Sequence, residues 1–246
     1  MMPPVLKDIF HGLSGLLYPP HCSLCGKHLG GETPSEILCP ECRDSIVWNM
    51  PPFCPQCSRH LGKYPEHPRC RQCRRNHPAF DFAWSACVYD GHLKELIHRF
   101  KYGQKTRLRR LFTELINSFV RRYHLDAAQF DMAVPVPLSA ARLRERGYNQ
   151  AQLLAEGICR EFQIACSVNI LIRTRHTQPQ SLLDEKQRWT NIQGAFTIKH
   201  SEKFADKNIL IIDDLLTTGA TVSEIARTLK ESGAQTVGVL TLAIAV

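Results

Sequence analysis

The feature that most constrains the fold is the change of residue type within residues 209–221. Four consecutive aliphatic residues, 209–212, are followed by two carboxylates, a short threonine-rich loop and apolar residues at helical spacing. An apolar run of this length is typical of a strand that is buried on both faces of a parallel sheet. The segment therefore predicts a strand, a loop and a helix N-terminus within an open α/β sheet.

The loop of this segment predicts a ligand. At the carboxyl edge of such a sheet, the free NH groups and the dipole of the following helix favour a phosphate. The loop threonines add hydroxyl donors, and Gly219 lets the backbone turn and approach closely. Asp213 and Asp214 would hold two neighbouring hydroxyls, as found on a phosphorylated sugar. An ordinary strand and turn fits less well, because adjacent carboxylates at a buried strand end repel each other without a partner.

Residues 209–221 resemble the phosphoribosyl pyrophosphate signature of the type I phosphoribosyltransferases, and every position fits that pattern. The resemblance implies that the two aspartates bind the ribose 2- and 3-hydroxyls and that residues 217–221 cradle the 5-phosphate, with Mg²⁺ accompanying the donor. It also implies transfer of the ribose phosphate to a nucleophile, or its hydrolysis, with pyrophosphate leaving. The donor-site residues would be Asp213, Asp214, Leu215, Thr217, Thr218, Gly219, Ala220, Thr221, Pro137, Leu138, Ser139 and Ala140.

Two further segments extend the resemblance. Residues 134–142 stand where the family has its pyrophosphate loop, and the Arg-Gly-Tyr-Asn-Gln of residues 146–150 resembles the ComF branch, which joins cysteine-rich zinc modules to a phosphoribosyltransferase domain. Residues 173–196 resemble the catalytic lid of amidophosphoribosyltransferase-like members, with Arg173, Arg175 and Arg188 as donors to pyrophosphate. Each segment alone equally suits a solvated basic loop or helix face. Their order along the chain favours the family.

Eight of the eleven cysteines form four Cys-x-x-Cys pairs. Each pair presents two sulfurs from one tight turn, and two pairs complete a tetrahedral structural zinc site. Sequential pairing is the simplest arrangement, although a crossed one stays open. Disulfides or a thioredoxin-like role fit less well, because they need an oxidising compartment or a single pair in a βαβ unit. The expected ligands of two Zn²⁺ ions are Cys22, Cys25, Cys39, Cys42, Cys54, Cys57, Cys70 and Cys73. The remaining Cys87, Cys159 and Cys166 are expected in the core.

The composition, with 43% hydrophobic and 22% charged residues among 246, suits one α/β core and a smaller module. We expect an N-terminal helix and double zinc-finger module over residues 1–77, and a phosphoribosyltransferase domain over residues 78–246. No apolar run approaches a membrane span, so an integral membrane protein is not expected. The absence of a secretory signal predicts a cytoplasmic protein with reduced or metal-bound cysteines.

A basic stretch supports a different class of function. Between residues 99 and 122, eight lysines and arginines accompany one acid, Glu114, in a chain of formal net charge +8. Interleaved aromatic residues suit stacking on single-stranded DNA, and the ComF resemblance implies uptake of transforming DNA in natural competence. A solvated basic face that attracts the anionic donor explains the charge equally well. The nucleic-acid candidates are Arg99, Lys101, Tyr102, Lys105, Arg107, Arg109 and Arg110.

Two non-catalytic alternatives remain at the level of sequence. In one, the protein binds single-stranded DNA and uses the phosphoribosyl site for regulation. In the other, it is an adaptor whose zinc module docks a competence helicase or a membrane DNA-translocation protein. No segment matches the hood with which nucleotide-forming family members read a base, so the sequence does not specify an acceptor.

Overall fold

A computed structural model describes residues 21–30, 37–175 and 184–246. The expected N-terminal helix lies outside these described residues. So does the middle of the expected lid, residues 176–183. The flanks of the lid, which carry all three arginines assigned to it, are described.

A five-stranded parallel sheet forms the centre of the C-terminal part, in the order β1-β7-β6-β2-β3. A separate antiparallel pair, β4 and β5, flanks the lid segment. The strands are β1 (Phe82–Val88), β2 (Met132–Pro135), β3 (Ala165–Cys166), β4 (Leu171–Arg173), β5 (Phe196–Ile198), β6 (Asn208–Leu216) and β7 (Thr236–Ile244). All carboxyl ends of the parallel strands lie at one edge, where α/β folds bind ligands.

Helices cover both faces of this sheet. The helices of this part are α3 (Gly91–Tyr102), α4 (Leu108–Arg122), α5 (Ala140–Arg146), α6 (Gln150–Phe162), α7 (Glu185–Ile192) and α8 (Ala220–Glu231). In β6, Leu210 and Ile212 pack into a core with α3, α4 and α6, whereas Ile209 and Ile211 pack into a second core with α8. Successive side chains of a strand point to opposite faces, so a strand between two helical layers needs a continuous apolar run.

The N-terminal part consists of two zinc ribbons of the same design. Each begins with a Cys-x-x-Cys turn and ends with a second pair at the start of a short helix, α1 (Pro40–Asp44) or α2 (Arg71–Asn76). The cysteines of the first ribbon join the core of α3 and α4, while those of the second join the core of α8. The two ribbons therefore pack against different sides of the sheet domain.

The segment between the ribbons is attached to the edge of the sheet. Asn49 donates its backbone NH to the carbonyl of Ala86 (2.9 Å), and Val88 donates to the carbonyl of Val47 (2.9 Å). The expected boundary between residues 77 and 78 thus separates two compositions, but the two parts share backbone hydrogen bonds and apolar cores.

The structure corrects one expectation about the single cysteines. Cys87 and Cys159 are buried, but Cys166 is exposed. It belongs to β3, a two-residue edge strand whose side chains both face solvent. Within the described residues, no helix has both the length and the apolar character needed to cross a membrane.

Candidate phosphoribosyl donor site

The two aspartates lie at the carboxyl edge of the sheet. β6 does not end before them but continues through both to Leu216, in register with β7. Adjacent strand residues point to opposite sides, yet Asp213 and Asp214 both line one cavity of about 630 Å³. The sequence thus placed the end of the strand too early, and the role of the pair stays a prediction.

This cavity, called the donor cavity below after the ligand expected from the sequence, is strongly basic. Pro137 and Leu138, in the loop after β2, form part of its wall, and Tyr89 after β1 forms another part. Among the described residues, six cationic side chains line it against the two carboxylates, and these are Lys94, Lys101, Arg142, Arg146, Arg173 and Arg188. A concave site with this excess of positive charge attracts and binds polyphosphates.

Lys101 is paired with one of the aspartates. Its Nζ lies 2.6 Å from Oδ2 of Asp214, and the two side chains are only 20% and 9% exposed. Burial alone would lower the pKa of the Lys101 ammonium, but attraction to Asp214 and to the more distant Asp213 raises this pKa above its ordinary value. Lys101, a nucleic-acid candidate on sequence grounds, therefore lies in the donor cavity.

Asp213 has the most perturbed carboxyl group of the site. Desolvation and the charge of Asp214 raise the pKa of Asp213 from 3.8 to about 8, although Lys101 and the Asp214 backbone NH, which donates to Oδ1 at 2.8 Å, oppose the shift. In the free protein the raised pKa favours the protonated form of the Asp213 carboxyl.

The loop that follows β6 is shaped by Gly219. This residue has φ of +78°, a conformation that L side chains rarely adopt, and α8 begins at the next residue. Thr217 and Thr221 line the donor cavity. Thr218 accepts a hydrogen bond from the Ala220 NH (3.4 Å) and faces a smaller cavity with Gly219. The loop thus places Thr217 and Thr221 at the cavity beside the start of a three-turn helix, a position that favours a phosphate.

The expected pyrophosphate loop also meets the cavity. Pro137 and Leu138 line it directly, whereas Ser139 caps α5 by accepting from the Arg142 NH (3.4 Å) and Ala140 is the first helical residue. Arg142, in the first turn of α5, also lines the cavity. The strand end is fixed by Asn149, whose Nδ2 donates to the carbonyl of Val136 (3.0 Å).

Arg146 and Tyr102 form a second wall of the cavity. The Arg146 guanidinium lies over the Tyr102 ring at 4.8 Å and donates to its hydroxyl at 3.2 Å. The arginine is buried, although the tyrosine keeps 55% of its surface exposed. The Arg-Gly-Tyr-Asn-Gln segment noted in the sequence therefore contributes a cation, a helix cap and a buried amide to the site.

The three lid arginines are not equivalent. Arg173 and Arg188 line the donor cavity, and burial, together with the charge of Arg142, lowers the pKa of Arg173. Arg175 is exposed and instead donates to the backbone carbonyls of Asn191 (2.9 Å) and Gln193 (2.7 Å). It connects the segment after β4 to the end of α7, and its role in a lid stays a prediction.

The eight paired cysteines form two separate clusters with sequential pairing. In each, the four sulfurs lie within 4.8 Å of one another, and these clusters are Cys22, Cys25, Cys39 and Cys42, and Cys54, Cys57, Cys70 and Cys73. The Sγ atoms of Cys25 and Cys39 are 3.7 Å apart, and those of Cys57 and Cys70 are 3.6 Å apart. Four sulfurs at about 2.3 Å from one tetrahedral zinc ion are about 3.8 Å apart, so both clusters fit Zn²⁺.

The remaining nucleic-acid candidates divide into two groups. The Arg99 side chain is engaged in contacts within the protein, because it donates to the carbonyl of Ser23 in the first ribbon and to Glu95 (2.5 Å). Four others are exposed around the start of α4, and these are Lys105, Arg107, Arg109 and Arg110. Lys105 and Arg107 also line a cavity of about 490 Å³ beside the first ribbon.

Comparison with known proteins agrees with both halves of this architecture. The family model for the double zinc ribbon domain matches residues 13–74, and that for the phosphoribosyl transferase domain matches residues 147–245. Competence protein F of Haemophilus influenzae is 34% identical over 73% of this chain and 79% of its own length. The chain belongs to the ComF family.

Other members show the same similarity along the chain. The DNA utilization protein YhgH of Shigella flexneri is 30% identical over 89% of this chain and 87% of its own. Competence protein ComFC of Bacillus subtilis is 33% identical over 68% of each. Among solved structures, a purine phosphoribosyltransferase from Pyrococcus horikoshii has a TM-score of 0.32 at 14% identity over 59% of this chain and 85% of that one, a similarity too low to interpret. The resemblance to ComF proteins and the phosphoribosyltransferase-like parallel fold are confirmed.

Several residues in or beside this site were not assigned to it from the sequence, and Lys101 and Arg59 are two of them. Lys101 was grouped with the basic stretch around it, and Arg59 was not singled out. Lys101 directly follows the buried Phe100 in α3. Only the tertiary packing of this helix shows that the Lys101 side chain reaches Asp214. Arg59 reaches Thr217, 158 residues away, and no local pattern reports such a contact.

Proposed function

We propose that this ComF-family protein binds phosphoribosyl pyrophosphate with Mg²⁺ in the cavity of about 630 Å³ at the carboxyl edge of the sheet. The observation that carries the proposal is the combination of a carboxylate pair with six cationic side chains around one cavity, next to a threonine-rich helix start. A sugar diol that bears phosphates on both sides matches this distribution. Neither the carboxylate pair nor the cationic side chains alone would select such a ligand.

The proposed assignments follow the geometry. Asp213 and Asp214 hold the ribose hydroxyls, and residues 217–221 hold the 5-phosphate. Pro137, Leu138, Ser139 and Ala140 approach the pyrophosphate, with Arg173 and Arg188 donating from the lid side. Lys101 neutralises the carboxylate pair in the free protein and is close enough to contact the bound donor.

We propose a phosphoribosyltransferase reaction in this site. The bond between the anomeric carbon and the pyrophosphate oxygen breaks, and a bond to an acceptor nucleophile, or to water, forms. Charge develops on the departing pyrophosphate, and pre-oriented arginines stabilise it most when it forms. Mg²⁺ bound with the donor would share that charge. The chain's own residues bind, orient and shield the donor, and Asp213 need not transfer a proton.

Calorimetry with phosphoribosyl pyrophosphate and Mg²⁺ tests the binding step. Asp214→Ala and Thr217→Ala each remove a charged or hydroxyl group from the lining of the donor cavity, so we expect a loss of roughly 1 to 3 kcal/mol in binding free energy. Asp126→Ala, which changes an exposed carboxylate distant in sequence from the site, is the matched control and should bind as the wild type does. Wild-type affinity in both site variants would reject the assignment.

We further propose a cytoplasmic role in handling single-stranded DNA during natural competence. The names of the relatives, competence protein F and DNA utilization protein, support this role, and so do the exposed arginines at the start of α4. Measuring pyrophosphate release with and without single-stranded DNA separates an enzyme that DNA stimulates from a DNA-binding protein with a regulatory site. Co-purification of a helicase or translocation protein, without turnover of the donor, would favour an adaptor.

A further inference from the structure

The two zinc ribbons contain equivalent positions with different contacts. In the first turn, the Cys22 NH donates to the carbonyl of Lys27 (2.8 Å), and in the second, the Cys54 NH donates to the carbonyl of Arg59 (2.8 Å). Lys27 and Arg59 therefore stand at the same spacing in sequence after the first cysteine of their ribbon, and both close the same kind of turn. Their side chains can be compared directly.

The side chain of Lys27 stays within its own ribbon. Its Nζ pairs with Glu41 at 2.9 Å, and both side chains are more than half exposed. Exposed pairs of this kind contribute little to stability. Nothing about this contact reaches the sheet domain, and the first ribbon packs against α3 and α4, away from the phosphate loop.

The side chain of Arg59 leaves its ribbon and reaches the phosphate loop. Its Nη1 donates to the carbonyl of Ala245 (2.5 Å), just after β7, and its Nη2 donates to the carbonyl of Thr217 (3.3 Å). Nη2 also donates to Oε1 of Gln72 (2.9 Å), within the helix that carries Cys73. One planar guanidinium thus joins the second ribbon, the end of the sheet and the first residue of the loop.

The second zinc cluster also packs directly against this loop. Cys57 and Cys73 line one small cavity together with Thr218 and Gly219. Just beyond the ribbon, the ring of Phe80 lies 3.6 Å from the position that a Cβ on Gly219 would take. The backbone there is held by the ribbon, because Gln56 donates from Nε2 to the Phe80 carbonyl at 2.6 Å.

We propose that Arg59 is a positioning residue that couples the second zinc site to the phosphate loop. By holding the Thr217 carbonyl, Arg59 orients the NH groups of residues 217–221 toward the donor phosphate. Zinc in the second ribbon holds Arg59 and Gln72 in place, so donor affinity depends on the second ion and not on the first. This inference rests on the proposed donor binding at the same loop.

The test compares Arg59→Met with Lys27→Met, since both remove a cation from equivalent positions and retain most of the aliphatic side chain. In Arg59→Met, we expect both zinc ions to remain, amide hydrogen exchange in residues 215–221 to become faster, and the dissociation constant of phosphoribosyl pyrophosphate with Mg²⁺ to rise about tenfold or more, as for lost charge-assisted hydrogen bonds. In Lys27→Met, exchange and affinity should equal those of the wild type.

The outcomes separate this inference from the donor-site proposal. If the wild type does not bind the donor, the proposed function fails, and hydrogen exchange alone then decides whether Arg59 holds the loop. If the wild type binds and Arg59→Met matches it in both affinity and exchange, the coupling is wrong. Should Arg59→Met lose zinc, Arg59→Lys replaces it. Lysine keeps the positive charge but lacks the two donor arms of the guanidinium. We therefore expect amide exchange in residues 215–221 to be faster than in the wild type but slower than in a variant without the cation. Exchange equal to that of the wild type would overturn the proposal.

Discussion

Lys101 and the two aspartates show how the free protein tolerates a dense set of charges. Two adjacent carboxylates in a desolvated cavity cannot both ionise at low cost. The ammonium 2.6 Å from Asp214 lies where it offsets negative charge, and desolvation together with the neighbouring Asp214 raises the pKa of Asp213. A bound diol replaces this arrangement with hydroxyl contacts. The site is therefore prepared for a neutral, hydrogen-bonding part of an otherwise anionic ligand.

The first prediction concerns Asp213 and pH. Its folded pKa of about 8 lies above its unfolded value of 3.8, so between these values the folded protein holds a proton that the unfolded chain releases. Stability consequently falls as pH rises through this window. Asp213→Asn removes the effect, and we expect the variant to be more stable than the wild type by a few kcal/mol near pH 8, and by clearly less near pH 6, since one pH unit corresponds to about 1.4 kcal/mol.

Denaturant unfolding of ligand-free protein at pH 6 and pH 8 provides the measurement. Asp126→Asn, which neutralises an exposed carboxylate, is the control and should differ from the wild type equally at both values. A constant difference between Asp213→Asn and the wild type would show that this carboxyl is already ionised in the folded protein at pH 6.

At the scale of elements, the sequence predicted what local patterns encode. The aliphatic run predicted β6 because a strand with both faces covered needs a continuous apolar run. The cysteine spacing predicted two zinc sites because each pair closes a tight turn. The sides on which the ribbons pack could not be predicted. That placement depends on single contacts such as Arg59 to Ala245, 186 residues apart, which no spacing rule contains.

The second prediction concerns the independence of the two ribbons. Cys22→Ser and Cys70→Ser should each lower the zinc content from two ions to one, because each ion replaces a core for its own ribbon. The sheet domain should stay folded in both variants, since β6 and β7 are buried between helical layers. Metal analysis and circular dichroism check this expectation. Loss of both ions from either variant would show that the ribbons fold as one unit.

The third prediction concerns the lid. Arg175 contacts two carbonyls at the end of α7 and is not in the described lining of the donor cavity. Arg175→Ala should therefore leave donor affinity largely unchanged and slow pyrophosphate release, because a residue that holds the closed lid acts mainly as the transition state forms. Calorimetry and a pyrophosphate assay measure the two effects. Arg173→Ala is the comparison and should weaken binding itself, since Arg173 lines the cavity.

At the scale of the whole molecule, which has a formal net charge of +8, two basic surfaces lie apart from each other. One is the donor cavity at the carboxyl edge of the sheet. The other lies at the start of α4 beside the first ribbon, and the described linings of the two cavities share no residue. The sequence showed the basic stretch but not its separation into two surfaces. In the folded chain, Lys101 at the end of α3 contacts Asp214 in the donor cavity, whereas Lys105 and Arg107 in the following loop are exposed.

The last prediction concerns DNA at the second of these surfaces. We expect single-stranded DNA to bind weakly and without sequence preference, with affinity that falls steeply as salt displaces the phosphate contacts. Each cation that meets a phosphate contributes roughly 0.7 to the slope of log affinity against log salt. Arg107, Arg109 and Arg110 are exposed together, so changing all three to alanine should flatten the slope by roughly 2.

A variant with the same charge change locates the effect. Arg160, Lys199 and Lys203 are also exposed but lie outside the basic stretch, and changing these three to alanine should shift the affinity slightly through net charge while leaving the slope intact. Titrations by fluorescence anisotropy at several salt concentrations compare the two variants with the wild type. An unchanged slope in the Arg107, Arg109 and Arg110 variant would make this surface an ordinary solvated face. DNA binding would then have to be sought at the second ribbon, where Arg71 and Arg75 line a groove of about 710 Å³ together with Arg188 of α7.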